Sequence, residues 1–316
     1  MILVIVGATG SGKTAISTRM ANVLPKKIKT RNFTSSEIIG ADAMQLYKKM
    51  DIGTAKISAE EMQNIPHHMI DCLEIMQEAS VAEYRIRARK IIKEIYARKN
   101  LPILVGGSGL YIRSVIDKLN FPPTDNNIRQ KYEQLANSIG NDFLYNLLKE
   151  KDSLAAEKIN KENTRRLVRA LEVIEISGKP YSATMPQYEY EIPALQIGIK
   201  VPNEILDEKL YLRSKQMFEN GLVEETLGLI KMGLREAKTA SKATGYAQTI
   251  AYIDGELTLQ QAIEQTFIAT RQLSRRQMKW FRKDKRVHWF NTCEISYDEI
   301  VDETVSLYEK NIQIRN

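Results

Sequence analysis

Cysteine is nearly absent from this chain of 316 residues: only Cys72 and Cys293 occur, far apart in sequence. That excludes a disulfide framework and favours reduced thiols in a cytoplasm. Histidine is equally scarce, with three residues in all, and there is no C-x-x-C, so a structural zinc is not expected. No apolar stretch approaches ~20 residues, so nothing reads as a membrane span. The first apolar run, Ile2 to Val6, has no basic residues before it and reads as a strand, not a signal peptide. Internal repeats and low-complexity tracts are lacking too. What remains is ordinary for a soluble globular protein, with 43% hydrophobic and 27% charged residues. The length allows a full α/β core and a second module. Lys and Arg outnumber Asp and Glu by 46 to 39, a net charge of +7 that suits a polyanionic partner.

The chain is organised around its first 14 residues. Ile2 to Val6 is a short, mostly β-branched run of the kind that forms a buried parallel strand. Gly7, Ala8, Thr9, Gly10, Ser11, Gly12, Lys13 and Thr14 follow, and they fit G-x-x-x-x-G-K-[ST] without a mismatch. Residues 15–24 are good helix formers, so strand, glycine loop and helix stand in the order of a P-loop. Glycines let successive backbone N–H groups converge on an oxyanion, and the helix N-terminus adds partial positive charge. Lys13 supplies a full charge and Thr14 a hydroxyl able to ligate Mg²⁺. The loop binds a di- or triphosphate, and by itself does not say which.

Pro25 to Ser36 is polar and aperiodic, which predicts a surface loop. Residues 37–41 form a second strand that delivers Asp42 at its C-terminal end, the edge where open α/β sheets bind ligands. Residues 43–56 lack periodicity, with a turn at Gly53-Thr54. His67 and His68 are adjacent and point apart on any regular element. One is expected in the core and one exposed, not a paired metal site. Residues 80–98 predict an amphipathic helix with Ser80 as N-cap and Glu83 at the capping-box spacing. Residues 101–105 form a strand that runs into Gly106-Gly107-Ser108-Gly109, either a ligand-approached turn or a plain βα turn.

From Asn120 the texture changes. Residues 121–125 read as a linker, followed by helices over roughly 126–138, 141–150, 152–159 and 163–177. In the last, Leu167, Leu171 and Ile174 form an apolar stripe, with Arg165, Arg166 and Arg169 away from it. These arginines are either solvated or phosphate-facing. Residues 195–201 return as a strand. The expected fold class is therefore α/β: a P-loop NTPase-like parallel sheet core over 1–119 and 195–316, with a small all-α domain inserted over 120–194. Helices follow at 204–220, which carries Arg213, and 222–232, joined at Gly221. A long helix spans 258–284, where Arg271, Arg275 and Arg282 fall within about 40° of one another, opposite Leu273 and Trp280. Acidic residues are almost missing from 265–283, so this is a basic stripe and not a salt-bridged face. A strand at 287–290 and a helix at 297–311 close the chain.

Two enzyme classes fit these residues. In one, the P-loop serves a kinase or nucleotide hydrolase with Asp42 working beside Mg²⁺. In the other, the loop holds a diphosphate leaving group and the basic surfaces hold a nucleic acid acceptor. A P-loop RNA-binding module without catalysis is a third reading. No Walker B strand other than 37–42 is apparent, which weakens the kinase reading.

The motifs over essentially the whole chain resemble those of the tRNA dimethylallyltransferases, or isopentenyltransferases. These are GATGSGKT at 7–14, ADAMQLYKKMDIGTAK at 41–56, PHHMID at 66–71, GGSGLYIRSV from Gly106, NTRRLVRALEVIEISGKP at 163–180, MFENGLVEE at 217–225, ATGY at 243–246 and TRQLSRRQMKWFRKD at 270–284. The resemblance implies transfer of a dimethylallyl group from dimethylallyl diphosphate to the exocyclic amine of an adenine beside the anticodon. The P-loop would then grip the diphosphate leaving group with Lys13, Thr14 with Mg²⁺, and Arg213. Asp42 would act as general base, and Ser108 would stand where the family usually has Thr. The tRNA would meet Asp42, Ala43, Met44, Gln45 and Ser108. It would also meet Arg129, Arg165, Arg166, Leu167, Val168 and Arg169 of the insert, then Lys242, Gly245 and Tyr246, and last Arg275, Arg276, Gln277, Lys279, Trp280 and Arg282. Ala43 departs from the family's usual Ser, and Ala8 from a common Pro. A monomer is expected. The nearest alternative is an isopentenyltransferase acting on free adenine nucleotides, which the Arg-rich segments disfavour.

Overall fold

Aliphatic runs without polar alternation are satisfied only by burial on both faces, and here they form the middle of a parallel sheet. The structure is a computed structural model that describes residues 1–119, 121–122, 124–184 and 188–314. Its strands are Ile2–Gly7 (β1), Ser36–Gly40 (β2), His67–His68 (β3), Leu101–Gly106 (β4), Ala194–Lys200 (β5) and Val287–Asn291 (β6). They lie in the order β3-β2-β4-β1-β5-β6, and every pairing among them is parallel. All six residues of β1 are buried. Ile2, Val4 and Val6 face one apolar layer, and Leu3 and Ile5 the other. Each such side chain contributes roughly 1.5–3 kcal/mol on burial.

The helices are Lys13–Lys27 (α1), Val81–Ala97 (α2), Gly109–Ile116 (α3), Asn126–Ile139 (α4), Asn141–Lys151 (α5), Ser153–Lys158 (α6), Thr164–Ser177 (α7), Asn203–Glu219 (α8), Leu222–Ile230 (α9), Tyr246–Ile253 (α10), Leu259–Phe281 (α11) and Tyr297–Gln313 (α12). Ser80 caps α2 as expected, its side chain accepting from Glu83 N. Two expectations fail. The loop predicted from Pro25 begins later, because α1 runs through the proline to Lys27. Ile28 is buried, and its N–H donates to Leu24 O at 2.9 Å, which holds the last turn across the missing donor. The two histidines form the short edge strand β3, both half-buried. His67 Nδ1 lies 2.8 Å from Ile65 O and His68 Nε2 2.7 Å from Glu37.

The chain divides into two units: one is Met1–Asp117 with everything from Tyr190 onward, the other Lys118–Glu189. Sequence places the insert at 120–194. The difference arises because Ile116 O accepts from Glu191 N and Ile192 N at 2.8 and 3.1 Å, and Asp117 bridges Tyr190, so the returning segment belongs to the core. Pro123 of the expected linker, and Asn120 just before it, lie outside the described residues. The helical unit has its own core, which includes Tyr132, Leu144, Leu148, Leu167 and Leu171. Side chains of Asp125, Asp152 and Asn163 cap α4, α6 and α7, as their sequence positions ahead of each helix require.

Candidate active site

The P-loop leaves β1 at the C-terminal edge of the sheet and turns into α1. Gly12 makes that turn with φ 89°, and a Cβ there would lie 2.5 Å from the Tyr297 hydroxyl, so only glycine fits. Thr9, Gly10, Gly12, Lys13 and Thr14 line a cleft of about 870 Å³. Gly7, Ala8 and Ser11, also expected around the diphosphate, are buried in the turn and do not line it. Ala8 packs against Leu206 and Leu210 of α8, and its carbonyl accepts from Lys13 Nζ at 2.6 Å.

Asp42 follows β2 and lines the same cleft. Its Oδ1 accepts from Met44 N at 2.9 Å, a short loop closure that fixes the carboxylate beside its own backbone. The end of β4 packs tightly against this segment. Ser108 N donates to Ala41 O at 3.2 Å, and Ser108 Oγ accepts a long bond from Ala43 N at 3.4 Å. Gly106 permits this approach, since a Cβ there would lie 2.1 Å from Ala41 O, and Gly107 likewise makes room for Gln277, 2.4 Å from its would-be Cβ.

Arg213 comes from α8, and its guanidinium donates to Thr9 Oγ1 at 3.4 Å. Desolvation lowers the Lys13 ammonium to about 8, opposed by the Asp42 charge and reinforced by Arg213. Burial likewise lowers Arg213, again opposed by Asp42. Two desolvated cations beside one carboxylate leave an excess positive potential that an anionic ligand would relieve. A smaller chamber of about 80 Å³ opens beside Asp42 and Arg213, with Met44, Leu210, Met217 and Leu273 among its lining.

The structure sorts the remaining expected residues. Gln45 and Gln277 line the cleft, and Met44 the small chamber. Gln277 is buried on α11, and its Oε1 accepts from Thr9 N at 2.8 Å, so it braces the P-loop itself. Arg165, Arg166, Lys242, Arg276, Lys279 and Arg282 are exposed. Leu167 and Val168 are core residues of the helical unit, which removes their side chains from RNA contact. Tyr246 has no exposed surface, and its hydroxyl donates to Glu225 at 2.6 Å; Gly245 is buried beside it. Trp280 packs over Gly109 and under Arg113. Three arginines carry intramolecular carboxylate partners: Arg129 and Arg169 both meet the fully buried Glu172, and Arg275 makes a two-oxygen pair with Asp207 at 2.8 Å. The stripe on α11 is thus salt-bridged at Arg275, by an acid on another helix that local charge counting misses.

Sequence reasoning also missed cleft residues. Lys209 stands one turn before Arg213 on α8, and that i, i+4 spacing was a usable signal. Thr54 and Tyr297 enter from a turn and from the last helix, and no sequence pattern marks them.

Fold and cleft together define a P-loop α/β protein whose phosphate loop faces a carboxylate across one cleft. The family model described as IPP transferase matches residues 45–284. A tRNA dimethylallyltransferase of Thermobifida fusca is 44% identical over 308 residues, which cover 97% of this chain and 93% of that protein. The crystal structure of a tRNA isopentenylpyrophosphate transferase from Bacillus halodurans superimposes with a TM-score of 0.70 at 35% identity, covering 99% of this chain and 96% of the other. A eukaryotic dimethylallyltransferase acting on tRNA reaches a TM-score of 0.77 at 25% identity, over 92% of this chain and 73% of its own. The chain belongs to the IPP transferase family.

Proposed function

We propose that this protein transfers a dimethylallyl group from dimethylallyl diphosphate to N6 of the adenine at position 37, 3′ of the anticodon, in tRNAs reading codons that start with U. One observation carries the reading: Asp42 lines both the phosphate cleft and the chamber containing Met44, Leu210, Met217 and Leu273, with Arg213 at the same junction. The diphosphate lies in the P-loop against Lys13 and Arg213, and the prenyl carbons enter the chamber. The adenine amine attacks the prenyl carbon bearing oxygen, so the new N–C bond forms as the C–O bond breaks and diphosphate leaves. Asp42 takes the amine proton. Lys13 and Arg213 stabilise the charge that grows on the leaving oxygen.

Magnesium fits this site. Thr14 offers a hydroxyl oxygen at the exposed start of α1, and among the described residues no cluster of three His, Cys, Asp or Glu forms a cage. A P-loop hydroxyl would hold the ion together with substrate phosphates and waters. When bound, it supplies Lewis-acid neutralisation of the diphosphate.

The exposed arginines of the helical unit and of α11 contact RNA phosphates. Cys72 and Cys293 are free thiols, the state a reducing cytoplasm maintains. The test mixes purified protein, Mg²⁺ and labelled dimethylallyl diphosphate with undermodified tRNA, AMP or ATP. Label should enter tRNA alone. Label in AMP or ATP would establish the free-nucleotide reading, and phosphoryl transfer from ATP the kinase reading.

A further inference from the structure

Beyond the catalytic groups, one carboxylate in the core unit is used in a way that its position in α9 does not require. Glu225 turns away from its own helix and accepts hydrogen bonds from three successive backbone N–H groups of the neighbouring loop. These are Asp51 N at 3.1 Å, Ile52 N at 2.9 Å and Gly53 N at 3.3 Å. Tyr246, fully buried at the start of α10, donates its hydroxyl to the same carboxylate at 2.6 Å. The Tyr246 ring also presses on Gly53, where a Cβ would lie 2.4 Å away. An ionised carboxylate facing three converging amides is a strong, directional anchor.

That loop is under strain: Lys49 and Ala55 hold φ of 61° and 45°, a region side-chain-bearing residues rarely adopt. It is nonetheless tied at its far end. Gln45 Nε2 donates to the carbonyls of Thr54 and Ala55 at 3.1 and 3.2 Å. Gln45, Thr54 and Asp42 line the cleft together. Glu225 therefore fixes residues 51–53, these fix the carbonyls of 54 and 55, and those aim Gln45 three residues from Asp42.

We infer that Glu225, braced by Tyr246, is a positioning residue that sets the acceptor-facing wall of the cleft without touching either substrate. Its bonds reach the 42–55 segment and not the P-loop, so it acts on the wall that carries Asp42 and Gln45 and, through Gly53 and Thr54, on one side of the small chamber. The inference rests on the proposal that the acceptor adenine meets Asp42.

Two variants test it. Glu225→Gln keeps the shape but leaves one acceptor oxygen for four donors. Tyr246→Phe keeps the ring against Gly53 and removes only the hydroxyl. Misplacing a reacting group by about 1 Å costs on the order of 100-fold, so Glu225→Gln should lower kcat/KM for tRNA by about 10- to 100-fold. Tyr246→Phe should lower it less. For both variants, calorimetric affinity for dimethylallyl diphosphate should fall by less than tRNA efficiency does, because the P-loop is untouched and only the chamber side at Gly53 and Thr54 is disturbed. Amide exchange at 51–53 should quicken in both, and that readout is independent of the acceptor. Should Glu225→Gln not fold, Tyr246→Phe decides alone. Unchanged tRNA kinetics with unchanged exchange would overturn the inference, as would an equal loss of donor and tRNA efficiency. Failure of the wild-type protein to prenylate tRNA would instead overturn the functional reading on which it rests.

Discussion

The wall proposed for the diphosphate comes mostly from one short stretch, with Thr9, Gly10, Gly12, Lys13 and Thr14 turned by its own glycines and Arg213 added from α8. The wall proposed for the acceptor is assembled from Asp42, Gln45, Thr54, Gly107 and Gln277, with the loop before Thr54 anchored by Glu225 and Tyr246. Phosphate binding needs only converging N–H groups and charge, which a short local motif supplies. Presenting a base to a carboxylate needs side chains from several elements fixed to fractions of an ångström. The two walls should therefore fail differently when perturbed.

The largest separation comes from the helical unit. Asp117 and Tyr190 are bridged in the core, so a short linker can replace Lys118–Glu189 without parting its ends. Transfer to tRNA should fall below detection while calorimetry still records dimethylallyl diphosphate binding. Normal tRNA modification by the folded deletion would show that the helical unit has no part in recognition.

A second break concerns the phosphate wall alone. Lys13, lowered to about 8 by desolvation, loses its proton and its pull on the diphosphate as pH rises through that value. In the free enzyme, kcat/KM for the donor should fall on an alkaline limb near pH 8. Lys13→Arg stays charged and should remove that limb. A limb unchanged in Lys13→Arg would assign it to another group.

The smallest effects belong to α11, and they separate surface charge from structure. Replacing Arg276, Lys279 and Arg282 with Ala should weaken tRNA binding and flatten its salt dependence, by roughly one unit of slope for each phosphate no longer neutralised. Arg275→Ala should lower thermal stability, because it leaves Asp207 unpaired, and change the salt slope little. The reverse pattern would place Arg275 in the RNA interface.

These differences track what the sequence makes legible. The P-loop, the strand that delivers Asp42 and the helices of the insert are local features, and their periodicity and caps mark them within a residue or two. Pro25 misleads because Ile28 is buried, a tertiary fact that overrides the local stop signal. Tyr246, Leu167 and Val168 look like surface contacts inside family motifs, yet they are core. A motif records that a residue is needed and not which way it faces. Arg129 and Arg275 read as free charges because Glu172 and Asp207 lie elsewhere in the chain, whereas Glu172 stands only three residues beyond Arg169 on α7, a local signal that sequence reasoning passed over. Glu225 closes the MFENGLVEE motif, yet nothing local shows what it holds, since its backbone partners are amides 172 to 174 residues away.

The central claim is that Asp42 is the base for the adenine amine and not a ligand of the metal-diphosphate. Asp42→Asn keeps the side chain's shape and the oxygen that accepts from Met44 N, and it loses the proton acceptor. The direct measurement is single-turnover transfer by Asp42→Asn with donor and tRNA both saturating, alongside their separate affinities. The rate should fall by about 10²–10⁴-fold, with donor affinity nearly unchanged and tRNA affinity moved less than about tenfold. A near-normal rate, or a loss confined to Mg²⁺-diphosphate binding, would contradict it.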